Sequence, residues 1–356
     1  MPLVAQNDLP TFERLRAEGV RVLPTARAMH QDIRELHIGL LNMMPDAALG
    51  ATERQFYRLV GESNPIAQFY MHPFTLPQLP RGAEAQAHIN AYYESFEIIR
   101  DAGLDGLIIT GANVVGPELS DQPFWEPLKE VIAWAEENVT STLCSCLATH
   151  AVMEFRYGQK RTSRARKVWG VYPHCVVEKR HPLVNDVNTT FDVPHSRWNE
   201  IVRSQVEAAG NRVLVESPEV GVHLAVSGDG FRFVFFQGHP EYDTISLLKE
   251  YKRDVMAWAS GKTRVEPPFP DHYLDVTQQS VLREFRTRMR AAKQSGSAAP
   301  KFPEALIVPG LENTWHDTAE AVVGNWIGLI YQVTHSDRRK PFMDQIDARN
   351  PLSLDW

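Results

Sequence analysis

Short apolar runs alternate with longer amphipathic stretches through the first two thirds of the chain. Nearly continuous apolar residues predict buried strands over residues 35–42, 66–71, 106–110 and 141–146. Apolar residues near a 3.6-residue spacing predict helices over residues 51–60, 83–100, 123–139 and 147–157. Such alternation is typical of βαβ units, so the sequence predicts an α/β fold with a mostly parallel sheet flanked by helices on both faces.

The pattern changes on either side of this region. The first 35 residues are polar and predict little regular structure apart from a helix over 12–18. Beyond residue 158, short strands are predicted over 213–216, 222–227 and 231–236, followed by helices over 245–260, 276–293 and 314–334. The apolar face of the last helix suits either a core or a dimer interface. We therefore expect an N-terminal segment (1–35), an α/β catalytic domain (36–262) and a C-terminal extension docked on the core (263–356).

Composition narrows the possible functions. With 43% hydrophobic and 23% charged residues, the chain has the make-up of a globular protein. The net charge of -7 argues against non-specific nucleic-acid binding. No apolar run approaches the roughly 18 residues of a membrane span, and the N-terminus lacks the pattern of a signal peptide. Three cysteines make a poor disulfide framework, so we expect a cytoplasmic protein without a membrane partner.

Candidate chemistry lies at the predicted strand ends, where parallel sheets bind their ligands. Cys146 stands between a strand and a helix, and a sharp turn there would present its thiol over the sheet edge, as suits a nucleophile. His239 follows another strand and is held extended by Pro240, with Glu241 next to it. A thiol, a base and an orienting carboxylate form a complete nucleophilic set. The backbone N–H of Leu147 is a candidate oxyanion donor.

Simpler interpretations compete with this one. Isolated cysteines and histidines are more often structural than catalytic. Cys144 is an alternative nucleophile, although we expect it to be buried within the sheet. The Cys-Ser-Cys run could also bind a metal together with His150 or His174, but structural zinc sites normally use a Cys-x-x-Cys spacing and a second ligand pair. We therefore expect no metal.

Five motifs together resemble the homoserine O-acyltransferase family. They are Leu41-Asn42-Met43-Met44-Pro45, Thr110-Gly111-Ala112, Ser141-Thr142-Leu143, Pro194-His195-Ser196-Arg197 and Gly238-His239-Pro240-Glu241-Tyr242-Asp243. The similarity runs from about Leu9 to about Ala259 and returns near Asn325-Trp326. It implies a flavodoxin-like, class I glutamine-amidotransferase-like fold.

The resemblance also implies roles for individual residues. Cys146 would carry the acyl group as a thioester, His239 would act as general base and acid, and Glu241 would orient His239. The family's substrate-binding positions fall on Lys167, Ser196 and Arg253. Lys167 lies in a run with five basic residues in eight positions, which could be a solvated loop or face the phosphates of CoA. The substrates would be L-homoserine and an acyl-CoA, without a further cofactor, and the assembly a homodimer.

The acyl donor is assigned by one position. In the family, a residue shortly after Thr-Gly-Ala helps to select the donor, with Glu marking acetyl users and a small residue marking succinyl users. Val115 occupies this position and would not repel a succinyl carboxylate, so the resemblance implies succinyl-CoA and a step of methionine biosynthesis. Acetyl-CoA is the alternative. A glutamine-hydrolysing amidotransferase, whose usual Gly-x-Cys-x-Gly motif is absent around Cys146, and a non-catalytic member are further alternatives.

Overall fold

The computed structural model describes residues 3–31, 33–63, 67–114 and 116–355. The strands in these ranges are β1 Leu3–Ala5, β2 Val22–Pro24, β3 Glu35–Leu41, β4 Gln68–Phe74, β5 Gly106–Ile109, β6 Ser141–Ser145, β7 Thr162–Val176, β8 Thr190–Glu200, β9 Arg212–Ser217, β10 Gly221–Val226 and β11 Phe233–Phe236. The helices are α1 Pro10–Ala17, α2 Thr25–Ala28, α3 Asp46–Ser63, α4 Ala83–Tyr92, α5 Phe96–Ala102, α6 Trp125–Asn138, α7 Leu147–Tyr157, α8 Arg203–Ala208, α9 Ser246–Ala259, α10 Val276–Ser295, α11 Glu304–Ile307 and α12 His316–Val333.

All of these strands belong to one sheet, in the order β2-β1-β4-β3-β5-β6-β11-β10-β9-β7-β8. The pairs from β2 to β11 are parallel, and those from β11 to β8 are antiparallel. The predicted mostly parallel sheet is therefore confirmed. Because β6 and β11 are parallel neighbours, with Ser145 paired to Phe236, the segments that follow them leave the sheet at the same edge.

Helices cover both faces of the sheet. Along β5, Ile108 packs into one apolar cluster, whereas Leu107 and Ile109 pack into the other, as the alternation of side chains along a strand requires. The first cluster includes residues of α1, α3 and α12, and the second includes residues of α5, α6 and α7. Strand β6, which leads to Cys146, is thereby buried on both sides.

The C-terminal helix α12 is an integral part of this core. Its Trp326 is 1% exposed and donates a hydrogen bond from Nε1 to Ser141 Oγ at 2.8 Å. At Gly324, an added Cβ would lie 2.6 Å from the Ser63 carbonyl oxygen, so glycine allows α12 to approach α3 closely. The apolar face of α12 is thus covered within the chain and does not form a free surface for a partner.

A third apolar cluster fixes α9. Tyr251, Val255 and Trp258 of α9 pack with α10 residues such as Leu282 and Phe285. This packing buries one face of α9 against the C-terminal extension. The opposite face is left for the cleft described below.

Some boundaries differ from the predictions. The single helix predicted over 83–100 is wrong, because α4 and α5 are separate and Ser95 caps α5 by accepting from the Ile98 N–H. The predicted strand 66–71 begins at Ile66, which lies outside the described residues, and β4 continues to Phe74. The expected irregular N-terminus contains β1 and β2, which are too short for their periodicity to be recognised.

The basic run is also part of the sheet. Residues from Thr162 onward form β7, which pairs with β8 and shows a register shift between Ser163 and Val168. A loop interpretation of this run is therefore wrong for most of its length. Among the helices of the described residues, none is long and apolar enough to cross a membrane.

Candidate active site

Cys146 occupies the turn between β6 and α7. Its backbone has φ 51° and ψ −103°, a strained combination for a residue with a Cβ. The strain is held by neighbouring hydrogen bonds: the Cys146 N–H donates to Phe236 O at 2.8 Å, and Thr149 Oγ1 lies 2.9 Å from both Cys144 O and Phe236 O. Leu147 begins α7, so its N–H has no acceptor within the helix. The turn therefore offers a thiol beside a helix N-terminus.

His239 lies on the segment that follows β11. Its Nδ1 is 2.8 Å from Glu241 Oε1, its N–H donates to Pro194 O at 2.8 Å, and its ring stacks on Tyr242 with centroids 4.3 Å apart. The Glu241 carboxylate fixes the tautomer by accepting from Nδ1, which leaves Nε2 for proton transfer. Glu241 and Tyr242 hold the imidazole ring, and the bond to Pro194 fixes the backbone that carries it.

The electrostatics pair His239 with Cys146. Burial alone lowers the pKa of His239, but the charges of Glu241 and the Cys146 thiolate, with hydrogen bonds to both, raise the pKa well above its usual value. The imidazolium form is thus favoured while the thiolate is present. This arrangement suits nucleophilic attack by sulfur followed by proton transfer through the imidazole.

The residue before His239 has no room for a side chain. A Cβ on Gly238 would lie 2.5 Å from Val193 Cγ1 and 2.9 Å from both His195 Nε2 and His223 Nδ1. Burial lowers the pKa of both histidines well below its usual value, so these rings form a neutral, packed wall. Glycine at this position lets the segment that carries His239 lie directly on that wall.

A cleft of about 470 Å³ opens at this edge of the sheet. The sequence-predicted residues that line it are Cys146, Leu147, Lys167, Ser196, His239 and Arg253. Glu241 is 8% exposed and contacts the Nδ1 side of the His239 ring. Val115 lies outside the described residues, while its neighbours Val114 and Gly116 line the cleft.

A carboxylate that the sequence analysis did not identify joins three cleft residues. Glu250 Oε2 lies 3.2 Å from Lys167 Nζ and accepts from Ser196 Oγ at 2.6 Å, and its Oε1 accepts from Tyr242 OH at 2.7 Å. Burial raises the pKa of Glu250, but Lys167 and the two hydroxyl donors outweigh it and the net pKa is lowered. Glu250 therefore remains charged beside the two predicted substrate-binding residues.

Arg253 lies one turn after Glu250 on α9. Its Nε–H donates to Asp254 Oδ1 at 2.8 Å, and its side chain is 66% exposed. The spacing of three residues puts both side chains on the polar face of α9. This spacing was the available sequence signal for Glu250, but a glutamate on a polar helix face usually indicates only solvation.

The alternatives raised for the cysteines have little geometric support. Cys144 is fully buried, and burial strongly raises the pKa of its thiol. Burial also lowers the pKa of His150 to about 3, and its Nε2 lies 3.3 Å from Gln237 Oε1. Within the described ranges, the side chains close enough to hold a metal together are Glu62, His316 and Glu320, far from this turn in sequence.

Comparison with known proteins assigns the family. The chain matches the sequence profile of homoserine O-succinyltransferase over residues 2–336. The chain belongs to the homoserine O-succinyltransferase family. A relative from Thiobacillus denitrificans, named homoserine O-succinyltransferase, is 68% identical over 354 residues, covering 99% of this chain and 100% of that protein. A protein of the same name from Allochromatium vinosum is 65% identical, with 99% of each chain covered.

Two solved structures match much of the chain at low sequence identity. A glutamine amidotransferase from Thermotoga maritima matches with a TM-score of 0.41 and 10% identity, covering 83% of this chain and 98% of that one. One from Methylobacillus flagellatus matches with a TM-score of 0.42 and 14% identity, covering 83% and 95%. The resemblance to the homoserine O-acyltransferases is confirmed by the homoserine O-succinyltransferase relatives, whose similarity extends through the C-terminal extension.

Proposed function

We propose that the protein transfers the succinyl group of succinyl-CoA to the hydroxyl of L-homoserine, a step of methionine biosynthesis. The observation that carries the proposal is the joint placement of Cys146, His239 and Glu241 at a cleft whose rim holds Lys167 and Glu250. A thiol nucleophile with its base lies beside charges of both signs, as an amino-acid substrate requires. The names of the relatives support the same substrates.

The first half-reaction acylates the cysteine. The Cys146 thiolate attacks the thioester carbonyl of succinyl-CoA, and the N–H of Leu147 stabilises the negative oxygen that develops. The carbon–sulfur bond to CoA then breaks, and the His239 imidazolium supplies the proton that the departing CoA thiolate takes up. The product is a succinyl thioester on Cys146.

The second half-reaction transfers the acyl group. With the thiolate charge consumed, the main partner that raises the pKa of His239 is Glu241, and the imidazole accepts the hydroxyl proton of homoserine. The hydroxyl oxygen attacks the thioester carbonyl, the bond to sulfur breaks, and the Cys146 thiolate returns. O-succinylhomoserine leaves, and the ion pair with His239 is restored.

The cleft matches the two charges of homoserine. Lys167 and Arg253 supply positive charge for the carboxylate, and Ser196 supplies a hydroxyl. Glu250 holds Lys167 and Ser196 in place and offers negative charge toward the ammonium group. We assign these residues to homoserine binding.

The remaining predictions are part of the proposal. The reaction needs no bound cofactor, since nucleophile, base and donors all come from the chain. A cytoplasmic location is supported by three unpaired cysteines, one of them exposed.

A homodimer is supported by exposed apolar side chains in the C-terminal part, with Val276 80% and Leu306 70% exposed. Sedimentation velocity tests the dimer.

Intact-mass measurement after incubation with succinyl-CoA, acetyl-CoA or glutamine tests the function. We expect a succinyl adduct on the wild type and on Cys144→Ala, and none on Cys146→Ala. An adduct that persists in Cys146→Ala contradicts the assignment of the nucleophile. If the protein reacts with glutamine and with neither CoA ester, it is an amidotransferase. If it reacts preferentially with acetyl-CoA, the acyl donor is acetyl-CoA and not succinyl-CoA.

A steady-state comparison of the two CoA donors tests the role of Val115. We expect Val115→Glu to shift preference from succinyl-CoA toward acetyl-CoA, because a carboxylate repels the succinyl carboxylate. Unchanged preference in that variant would remove Val115 from donor selection.

A further inference from the structure

The cleft contains more positive charge than the homoserine assignments use. Among the described residues, four lysine and arginine side chains line it: Arg161, Lys167, Arg197 and Arg253. Lys167 is paired with Glu250, and Arg253 with Asp254. A succinyl donor brings one carboxylate that an acetyl donor lacks, and that carboxylate must be desolvated near Cys146.

Arg197 is buried and hydrogen-bonded mainly to the protein itself. Its Nε–H donates to His195 Nδ1 at 3.3 Å, one terminal nitrogen donates to Asn199 O and Glu200 Oε2, and the other to Val220 O. The side chain is 1% exposed. In the described residues, four of its five N–H groups have protein acceptors, so Arg197 mainly supports the structure of the β8 end.

Arg161 differs from the other three in the kind of partner it has. Its Nε and Nη2 donate to the backbone carbonyls of Gly116 and Pro117 at 2.9–3.3 Å, and both acceptors are neutral. In the described residues, its Nη1 has no hydrogen bond and no carboxylate forms an ion pair with the guanidinium. The group is therefore oriented by the backbone while its charge is left uncompensated by a direct partner.

Arg161 lines the same cleft as Cys146, and its acceptors Gly116 and Pro117 directly follow Val115 in the sequence, the position predicted to select the acyl donor. Burial lowers the pKa of Arg161 overall, while the charges of Glu154, Cys146 and Glu118 act in the opposite direction. Glu118 is taken by the neighbouring Lys160, at 2.5 Å. The homoserine assignments Lys167 and Ser196 instead meet at Glu250.

We propose that Arg161 binds the distal carboxylate of the succinyl group, in succinyl-CoA and in the acyl-enzyme. This inference rests on the proposed function. A guanidinium pre-oriented by carbonyls loses little freedom on binding, and Nη1 keeps its two N–H donors for a carboxylate. Arg161 thereby selects a dicarboxylic acyl donor by attraction, and the uncharged acetyl group gains nothing from it.

Kinetics of Arg161→Gln with three donors tests this role. We expect kcat/KM for succinyl-CoA to fall about 10- to 100-fold, the loss of one charge-assisted contact. Acetyl-CoA and butyryl-CoA, whose acyl groups are uncharged, should change less than about threefold. Arg161→Lys keeps the charge but loses the bonds to Gly116 and Pro117 that orient it, and it should recover part of the succinyl-CoA activity.

The matched control is Lys160→Gln, which removes a positive charge from the adjacent position. Lys160 is 62% exposed at its side chain, pairs with Glu118 and does not line the cleft, so all three donors should react as with the wild type. An equal fall for all donors in Arg161→Gln, or no fall for succinyl-CoA, overturns the assignment. A wild type that forms no succinyl adduct instead overturns the proposed donor.

Discussion

Gly238→Ala is a quantitative test of how the segment that carries His239 packs against the neighbouring histidines. The added Cβ would lie 2.5 Å from Val193 Cγ1 and 2.9 Å from two histidine nitrogens, whereas carbon atoms pack best at about 3.5–4.0 Å. The wall cannot give way easily, since His195 Nε2 lies 3.2 Å from His174 Nε2 and the two rings stack. The segment must therefore move by about 1 Å.

That movement has two measurable consequences. We expect the free energy of unfolding to fall by about 1–3 kcal/mol, the usual cost of overpacking. We expect kcat/KM to fall about 100-fold, because a displacement of this size carries His239 away from Cys146. Urea unfolding followed by fluorescence gives the first quantity, and steady-state kinetics with succinyl-CoA and homoserine gives the second.

Gly328→Ala is the matched control. It lies within α12, and an added Cβ there would meet no atom within 4 Å. Alanine in a helix stabilises by up to about 1 kcal/mol relative to glycine, and the kinetics should not change. If Gly238→Ala kept wild-type stability and activity, the proposed seating of His239 on the histidine wall would be refuted.

Three further changes test the site and the core. Glu241→Gln removes a charge that raises the pKa of His239, so the imidazolium is lost at a lower pH. We expect the alkaline limb of the acylation rate, measured with succinyl-CoA alone, to move to lower pH. We also expect kcat/KM to fall about 10²- to 10⁴-fold. An unmoved limb would contradict this pairing. Glu250→Gln should raise KM for homoserine about 10- to 100-fold and KM for succinyl-CoA much less, in initial-rate measurements; equal increases would argue against a homoserine role. Ile330→Ala should cost about 2–5 kcal/mol in urea unfolding. Tyr331→Ala should cost only about 1 kcal/mol, because Tyr331 is 41% exposed and its main contact is the Arg34 guanidinium over its ring. Similar values for the two would place α12 outside the core.

The parts of the structure that sequence could predict are those with a local signature. The central strands are short and apolar, so their alternation with helices was recognisable. Once a parallel sheet was inferred, topology alone brought the turn at Cys146 and the segment at His239 to one edge. The joint placement of Cys146 and His239 can therefore be predicted from pattern and spacing.

The remaining features depend on tertiary partners. Glu250 and Arg161 are ordinary polar residues by position, and only the fold shows that one joins three side chains and the other faces the cleft. The sequence does not predict the break between α4 and α5 before Ser95, because apolar residues continue at helical spacing across it. β7 was missed because its first half carries charged, exposed residues and a register shift.

The hydrogen bond from Trp326 to Ser141 has a consequence for synthesis on the ribosome. The two residues are 185 positions apart, so the strand that leads to Cys146 gains a core partner from a helix near the end of the chain. Contacts of such separation form slowly, since a long loop must close first. A nascent chain that ends before α12 leaves part of one face of the central sheet open to water, beside α1 and α3. The strand that leads to Cys146 therefore gains its full packing only after α12 is translated.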